Sequence, residues 1–246
     1  MLRIVTFFYL TDHPHEASWL RPESRLWLAN LVEQETQPKP STRRGVLNQA
    51  LRERNVWLLA LRILTTNTGG YALVLWLPTT VQNLSGGSAS SAAAWTTLPY
   101  VLPYVLGLIS VIVSGRSSDR TGDRIWHCVA GQLLTAVCLV LSSIPTQSFA
   151  LVMFWLCLAE FEAFFWGSPF WVLPTLTLTQ SAAAVAIGFI NMCANFAEFI
   201  GSPIVGRLRD AGFSAQACLL LLAGCYLLGA VFVSLVRVRL GNSSSP

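Results

Sequence analysis

The chain has 246 residues, of which 53% are hydrophobic and only 11% are charged, whereas an ordinary soluble domain is about 25% charged. This composition is typical of a membrane protein and argues against a soluble fold. The net charge of +4 does not point to nucleic-acid binding, because the lysines and arginines concentrate in a few segments that mark one side of a membrane.

The N-terminal segment precedes the long apolar runs. Residues 1–10 are apolar but too short to cross a bilayer, so we interpret them as the stub of a preceding transmembrane helix. Residues 11–54 are predicted to form a cytoplasmic loop with amphipathic helices. Within it, SWLRPESRLWLANLVEQE places Pro22 and Glu23 where a helix start favours them and spaces its leucines along one apolar stripe.

Four runs without Asp, Glu, Lys or Arg follow, at 63–115, 125–159, 163–197 and 211–236. A bilayer needs about 20 apolar residues per helix, so the first three runs are too long for one span each. Clusters of Ser, Asn, Gly, Thr and Pro divide them. The predicted transmembrane helices are 55–82, 91–114, 126–145, 149–178, 182–206 and 214–238. The fold class is therefore an all-α membrane protein, with a six-helix bundle over 55–238 and a cytoplasmic tail at 239–246.

Positive residues assign the two sides of the membrane. With six spans, the loop at 11–54, the turn at 115–124 and the C-terminal end fall on one side and carry twelve Lys and Arg. The other side receives only Arg207 and Arg209. The positive-inside rule therefore predicts a multi-pass protein of the inner or plasma membrane, with the long N-terminal loop and the C-terminus in the cytoplasm.

The decapeptide GRSSDRTGDR at 115–124 joins the second and third predicted spans. Gly115 and Gly122 permit a tight turn between helices, and Asp119 suits the N-terminus of the following helix. Arg120 and Arg124 favour the cytoplasmic side. The alternative is a positively charged anchor with no further role.

The pattern G-x-x-x-D-R-x-G-x-R in this turn resembles a signature of the major facilitator superfamily. The segments NTGGYALVLWLP (67–78), FWVLP (170–174) and GSPIVGRLRD (201–210) resemble helices seven, ten and eleven of its anion:cation symporters, which include tartrate, phthalate and allantoate permeases. The resemblance covers nearly the whole chain but implies only the C-terminal half of a twelve-helix fold. It also implies that the turn is a latch that reaches across to the other half.

Three carboxylates lie within predicted spans, at Glu160, Glu162 and Glu198, and an ionisable group inside the membrane is a candidate functional site. Glu160 and Glu162 are two residues apart, so they face different sides of a helix and argue against a catalytic dyad. The resemblance places their helix on the central cavity, where one of the pair is a candidate proton carrier. Pairing with water or a polar neighbour is the alternative. Glu198 stands where the family usually has glycine, so its coupling role is not implied by the resemblance.

Candidate substrate contacts come from two further helices. Asn67 and Tyr71 share a face at i, i+4, and the resemblance places that face on the cavity. Asn191 and Asn195 lie on one face of the fifth span and either bind a polar solute or hold two helices together. Arg62 either binds a carboxylate or extends toward the interface, and its position two turns from the cytoplasmic end favours the second interpretation.

The chain has no HExxH or GxSxG pattern, no His/Asp cluster and no CxxC pair among its six cysteines. The cysteines are predicted to be buried apolar side chains. We therefore predict that the protein is not an enzyme, has no catalytic residue, and binds no metal and no cofactor.

These features predict secondary active transport of a small organic anion, a carboxylate or sugar acid, by alternating access, coupled to protons or sodium. The chain is expected to form one half of the transporter. Its expected partners are the anion, the coupling ion, the lipid bilayer, and a separate N-terminal half or a second copy of the chain. The alternative is a truncated membrane fragment that does not transport.

Overall fold

The computed structural model describes residues 17, 19–36, 43–84, 93–145, 148–178 and 180–237. The chain divides into two compact units, residues 1–45 and 46–246. Regular structure in the described residues is entirely helical. The predicted stub at 1–10 and the predicted tail at 239–246 lie outside the described residues.

Helix α1 is Pro22–Thr36 and helix α2 is Arg43–Arg52. The following helices are α3 (Arg54–Leu84), α4 (Ala93–Thr121), α5 (Arg124–Ser142), α6 (Phe149–Phe165), α7 (Gly167–Thr177), α8 (Gln180–Asp210) and α9 (Ala215–Ser234). A helix occupies each predicted span. Among the described residues, α5, the part of α8 from Ala182, and α9 are long and apolar enough to cross a membrane.

The helices of the second unit pack in a continuous series. Helix α3 packs against α8 on one side and α9 on the other, α9 against α5, α5 against α6, and α6 against α4. Gly201 of α8 allows a close approach of two backbones, because a Cβ atom there would lie 2.6 Å from the backbone oxygen of Thr68 in α3. Small residues at helix crossings are the usual means of close packing in membranes.

Side chains fix several helix ends. Asp123, Ser148 and Ser214 accept hydrogen bonds from the first turns of α5, α6 and α9, which satisfies backbone donors that a helix start leaves unpaired. Across the unit, the Asn55 amide donates to the Arg237 carbonyl at 2.9 Å and its oxygen accepts from the Arg237 amide at 3.2 Å. The start of α3 is thereby held against the end of α9.

The fourth predicted span, 149–178, is wrong as a single helix, because the chain breaks at Trp166 between α6 and α7. Pro169 has no N–H for the carbonyl of Phe165, four residues earlier. The Ser114 hydroxyl of α4 donates to that carbonyl instead. The Ser168 hydroxyl in turn donates to the carbonyl of Val111 at 3.1 Å. Hydrogen bonds with α4 therefore satisfy polar groups at the break. The local sequence pattern did not predict that α4 packs there.

We expect Gly201→Ala to destabilise the protein by roughly 1–3 kcal/mol, because the new methyl group would overlap the Thr68 backbone. Gly188→Ala is the matched control in the same helix, since a Cβ there has nothing within 4 Å. Thermal unfolding in mild detergent measures both. Equal unfolding temperatures for the two variants would contradict the close approach of α3 and α8.

Candidate functional site

A partly open cavity of about 250 Å³ lies in the second unit. Its wall is built by α3, α4, α6, α9 and the break at Trp166. Among its lining residues are Thr66, Asn67, Tyr71, Glu160, Trp166 and Tyr226. The wall is largely apolar with a few polar groups, which is the usual character of a small-molecule site.

Glu160 is the carboxylate of this cavity. It lies on α6 and is 3% exposed. None of the ion pairs between described residues includes it. A buried carboxylate without a positive partner is costly, and that cost disappears when the group takes up a proton. The side chain of Glu162, the second candidate on this helix, lies outside the described part of the chain.

Three residues that the sequence singled out meet where α3 packs against α8. The Asn67 amide donates to Glu198 Oε1 at 3.3 Å, and the Tyr71 side chain lies close to the same carboxylate. Asn67 and Tyr71 line the cavity as well. The i, i+4 spacing of Asn67 and Tyr71 therefore produces a shared contact with one carboxylate, and the sequence did not predict that Glu198 is the acceptor.

The other predicted contacts on α8 point elsewhere. Asn191 and Asn195 are exposed. The Asn195 amide donates to the Asn191 carbonyl at 2.7 Å, a bond within the helix. Neither belongs to the described lining of the cavity. They lie one and two turns from Glu198, on the surface that α8 leaves open in this unit.

Arg62 corrects the expectation that it extends to the membrane interface. The side chain is completely buried. Its guanidinium carbon lies 3.5 Å from the centroid of the Trp166 ring and 4.3 Å from the centroid of the Phe170 ring. These rings flank the helix break, so the break determines the environment of Arg62. In the sequence, the aromatic run FFWGSPFW (164–171) is the feature that could have predicted this environment of Arg62.

The predicted latch turn has a different internal arrangement from the one expected. Helix α4 continues to Thr121, so Gly115 lies within a helix and only Gly122, with φ of +70°, adopts the left-handed conformation that suits glycine. Asp119 does not cap the next helix. It pairs with Arg124 at 2.6 Å, and Asp123 accepts the capping bond from the Trp126 amide at 3.1 Å. Arg120 is exposed.

His127 connects this turn to the following helix. Its Nε2 lies 3.0 Å from the Ser117 hydroxyl, and its Nδ1 lies 2.5 Å from the carbonyl of Asp123. The ring also stacks on Phe165. Both ring nitrogens therefore hold the turn against α5, a role that the sequence did not assign.

The described residues contain no group of three or more His, Cys, Asp or Glu placed to hold a metal ion. Four cysteines are buried, as predicted, at positions 128, 138, 157 and 218, while Cys193 and Cys225 are half-buried.

A family model, the Major Facilitator Superfamily, matches residues 1–202 of the chain. The chain belongs to the Major Facilitator Superfamily. Among similar proteins, one from Agrobacterium vitis named for tartrate transport is 32% identical over 97% of this chain and 53% of its own length. The quinolone resistance transporter of Acinetobacter baumannii is 31% identical over 98% of this chain and 54% of its own.

A third superfamily relative, the inner membrane transport protein RhmT of Escherichia coli, is 32% identical over 96% of this chain and 53% of its own length. A solved structure of the Escherichia coli fucose:proton symporter FucP has a TM-score of 0.70 and 14% sequence identity. It covers 96% of this chain and 63% of FucP. The chain thus has an all-helical superfamily fold and spans about half the length of the curated relatives it matches.

Superfamily membership confirms the resemblance inferred from the turn and from the apolar helices. The chain is a multi-pass membrane protein of a transporter family and not an enzyme.

We expect Asp123→Ala to destabilise the protein by about 1 kcal/mol, because α5 loses its N-cap. Asp119→Ala removes only a solvent-exposed ion pair, for which we expect a smaller effect. Thermal unfolding in detergent compares the two variants. A larger loss of stability for Asp119→Ala would contradict the assignment of the cap.

Proposed function

We propose that this chain forms one half of a secondary transporter that moves a small organic anion, a carboxylate or sugar acid, across the cell membrane. The observation that carries the proposal is the partly open cavity with Glu160, Asn67 and Tyr71 on its wall, in a chain of the Major Facilitator Superfamily. Transporters of this kind place the substrate near the middle of the membrane between two halves and rock one against the other.

The proposed topology has six spans. Helices α3, α4, α5, α8 and α9 form one span each, and α6 together with α7 forms the broken fourth span. The asymmetric distribution of Lys and Arg supports a cytoplasmic position for residues 11–54, for the turn at 115–124 and for the C-terminal end. The likeness to FucP over 96% of the chain supports the half-transporter arrangement.

The proposed substrate class rests on two supports. Two similar proteins of Agrobacterium vitis are named for tartrate transport. In this chain, the amide of Asn67 and the hydroxyl of Tyr71 supply hydrogen-bonding groups to the cavity. Asn191 and Asn195 supply further amides on the exposed surface of α8, where we propose that they contact the substrate from the side of the second half.

We propose that Glu160 carries a coupling proton. It is the buried carboxylate on the cavity wall, and protonation removes the cost of its burial. Glu198 is less suited because it already accepts a hydrogen bond from Asn67, so we assign it to positioning that side chain. The structural neighbour FucP is a proton symporter, which favours protons over sodium as the coupling ion.

The turn at 115–124 is proposed to be a conformational latch. The Asp119–Arg124 pair and the positive φ of Gly122 give the turn a fixed shape. Arg116 and Arg120 are exposed and available to a partner surface. The partner that this proposal requires is a separate N-terminal half or a second copy of the chain.

The test is uptake of labelled tartrate into cells that express the chain alone, or the chain together with the N-terminal half of the Agrobacterium vitis relative. We expect uptake from the paired halves that increases with an inward proton gradient. Glu160→Gln should lose this stimulation, because an amide cannot carry the proton. Glu53→Gln, at an exposed carboxylate that does not line the cavity, is the matched control and should retain it.

Each result separates the alternatives. Uptake by the chain alone would show that two copies assemble. Absence of uptake in every pairing, with tartrate, phthalate and galactonate all tested, would favour a membrane fragment that does not transport. Sodium-dependent uptake that is insensitive to Glu160→Gln would refute the proton assignment.

A further inference from the structure

Arg62 is a completely buried cation whose nitrogens have no partner. Its Nε, Nη1 and Nη2 atoms lack a hydrogen-bond partner among the described residues, and the ion pairs found there do not include it. An arginine carries five N–H donors and stays charged in proteins. Leaving such a group buried without an acceptor is among the most costly arrangements in a protein interior.

The aromatic contacts of Arg62 do not satisfy these donors. Trp166 and Phe170 cover the guanidinium carbon with their ring faces, at 3.5 Å and 4.3 Å. Cation–π attraction of this kind compensates part of the buried charge. The N–H bonds, however, lie in the plane of the guanidinium group and point outward from its edge, where the ring faces do not reach them.

A second unpartnered group lies on a residue that touches Arg62. The indole Nε1 of Trp166 is also buried without a hydrogen-bond partner among the described residues. Arg62 and Trp166 therefore present donors only, and such a set matches an acceptor with negative charge. A planar carboxylate fits best, because it can accept two parallel bonds from one guanidinium group.

The position of Trp166 connects Arg62 with the cavity. Trp166 lines the cavity whose wall also carries Glu160, and its ring covers the Arg62 guanidinium. The residue lies at the break between α6 and α7, as the C-terminal cap of one helix and the N-terminal cap of the next. Because Trp166 contacts both the cavity and Arg62, we infer that a shift of its side chain exposes the guanidinium to a group in the cavity.

We propose that Arg62 and the Trp166 indole N–H form a subsite for one carboxylate group of the transported anion. The inference rests on the proposed transport of an organic anion and adds the residues that recognise its charge. An inorganic anion such as chloride or phosphate could use the same donors, so the test includes both. The subsite lies in this half of the transporter. Arg62 precedes Asn67 and Tyr71 in α3, so the carboxylate would bind nearer the start of that helix than these two side chains.

The experiment measures thermal unfolding of the purified chain in detergent with tartrate, with chloride or phosphate at the same ionic strength, and with threitol, the uncharged analogue of tartrate. We expect tartrate at saturation to raise the unfolding temperature by roughly 5 °C. Threitol should have no effect, and chloride and phosphate should have little. Arg207→Gln, at an exposed arginine of α8, is the control and should respond as the unchanged chain does.

Arg62→Gln should weaken the apparent affinity for tartrate at least about tenfold, because it removes a charge-assisted interaction. Its unfolding temperature without ligand should equal or exceed that of the unchanged chain, since the variant no longer buries an unpaired charge. Arg62→Lys keeps the charge but loses the planar fork, so its response should be intermediate. A purely structural arginine would give the opposite result, a large loss of stability in Arg62→Gln.

Three outcomes would overturn the subsite. One is an undiminished response of Arg62→Gln to tartrate, which leaves the proposed transport intact. Another is a shift produced equally by chloride or phosphate and lost in Arg62→Gln, which assigns the donors to an inorganic anion. The third is no response of the unchanged chain to tartrate. Uptake by the paired halves decides the proposed function independently of these results.

Discussion

The break at Trp166 is the constraint on which the interior of this protein depends. Pro169 cannot donate to the Phe165 carbonyl, and the hydroxyl of Ser114 in α4 donates to it instead. The Cys128 thiol of α5 lies 3.7 Å from the Trp166 carbonyl. Two neighbouring helices thus satisfy the backbone where the helix stops. Membrane proteins tolerate such breaks only where other groups re-satisfy the backbone.

The break brings one aromatic side chain into contact with a buried arginine and onto the cavity wall that carries a buried carboxyl group. Trp166 covers Arg62 with its ring and lines the cavity that holds Glu160. The two groups do not form an ion pair with each other, so neither cancels the burial cost of the other. An anion and a proton would compensate both at once. The arrangement therefore suits a site that binds a carboxylate together with a proton, as the proposed coupling of anion and proton requires.

The sequence predicted the parts of this structure that depend on composition and local spacing. Charge-free runs placed the helices, and the i, i+4 spacing put Asn67 and Tyr71 on one face of α3, which the family resemblance assigned to the cavity. It could not predict contacts that depend on which helix lies opposite. The burial of Arg62 needs the rings of Trp166 and Phe170, about a hundred positions away in the chain. The sequence also did not predict that Asp123 caps α5, because α4 extends beyond Gly115, the glycine at which the sequence predicted the turn.

The most direct test of this account is an experimental structure of the chain, paired with an N-terminal half and bound to tartrate. The account predicts tartrate in the cavity, with one carboxylate within hydrogen-bond distance of the Arg62 guanidinium and its other end near Asn67 and Tyr71. Glu160 should face the same cavity without a cationic protein partner. Tartrate bound away from this cavity, or an Arg62 side chain paired with a protein carboxylate, would contradict the account.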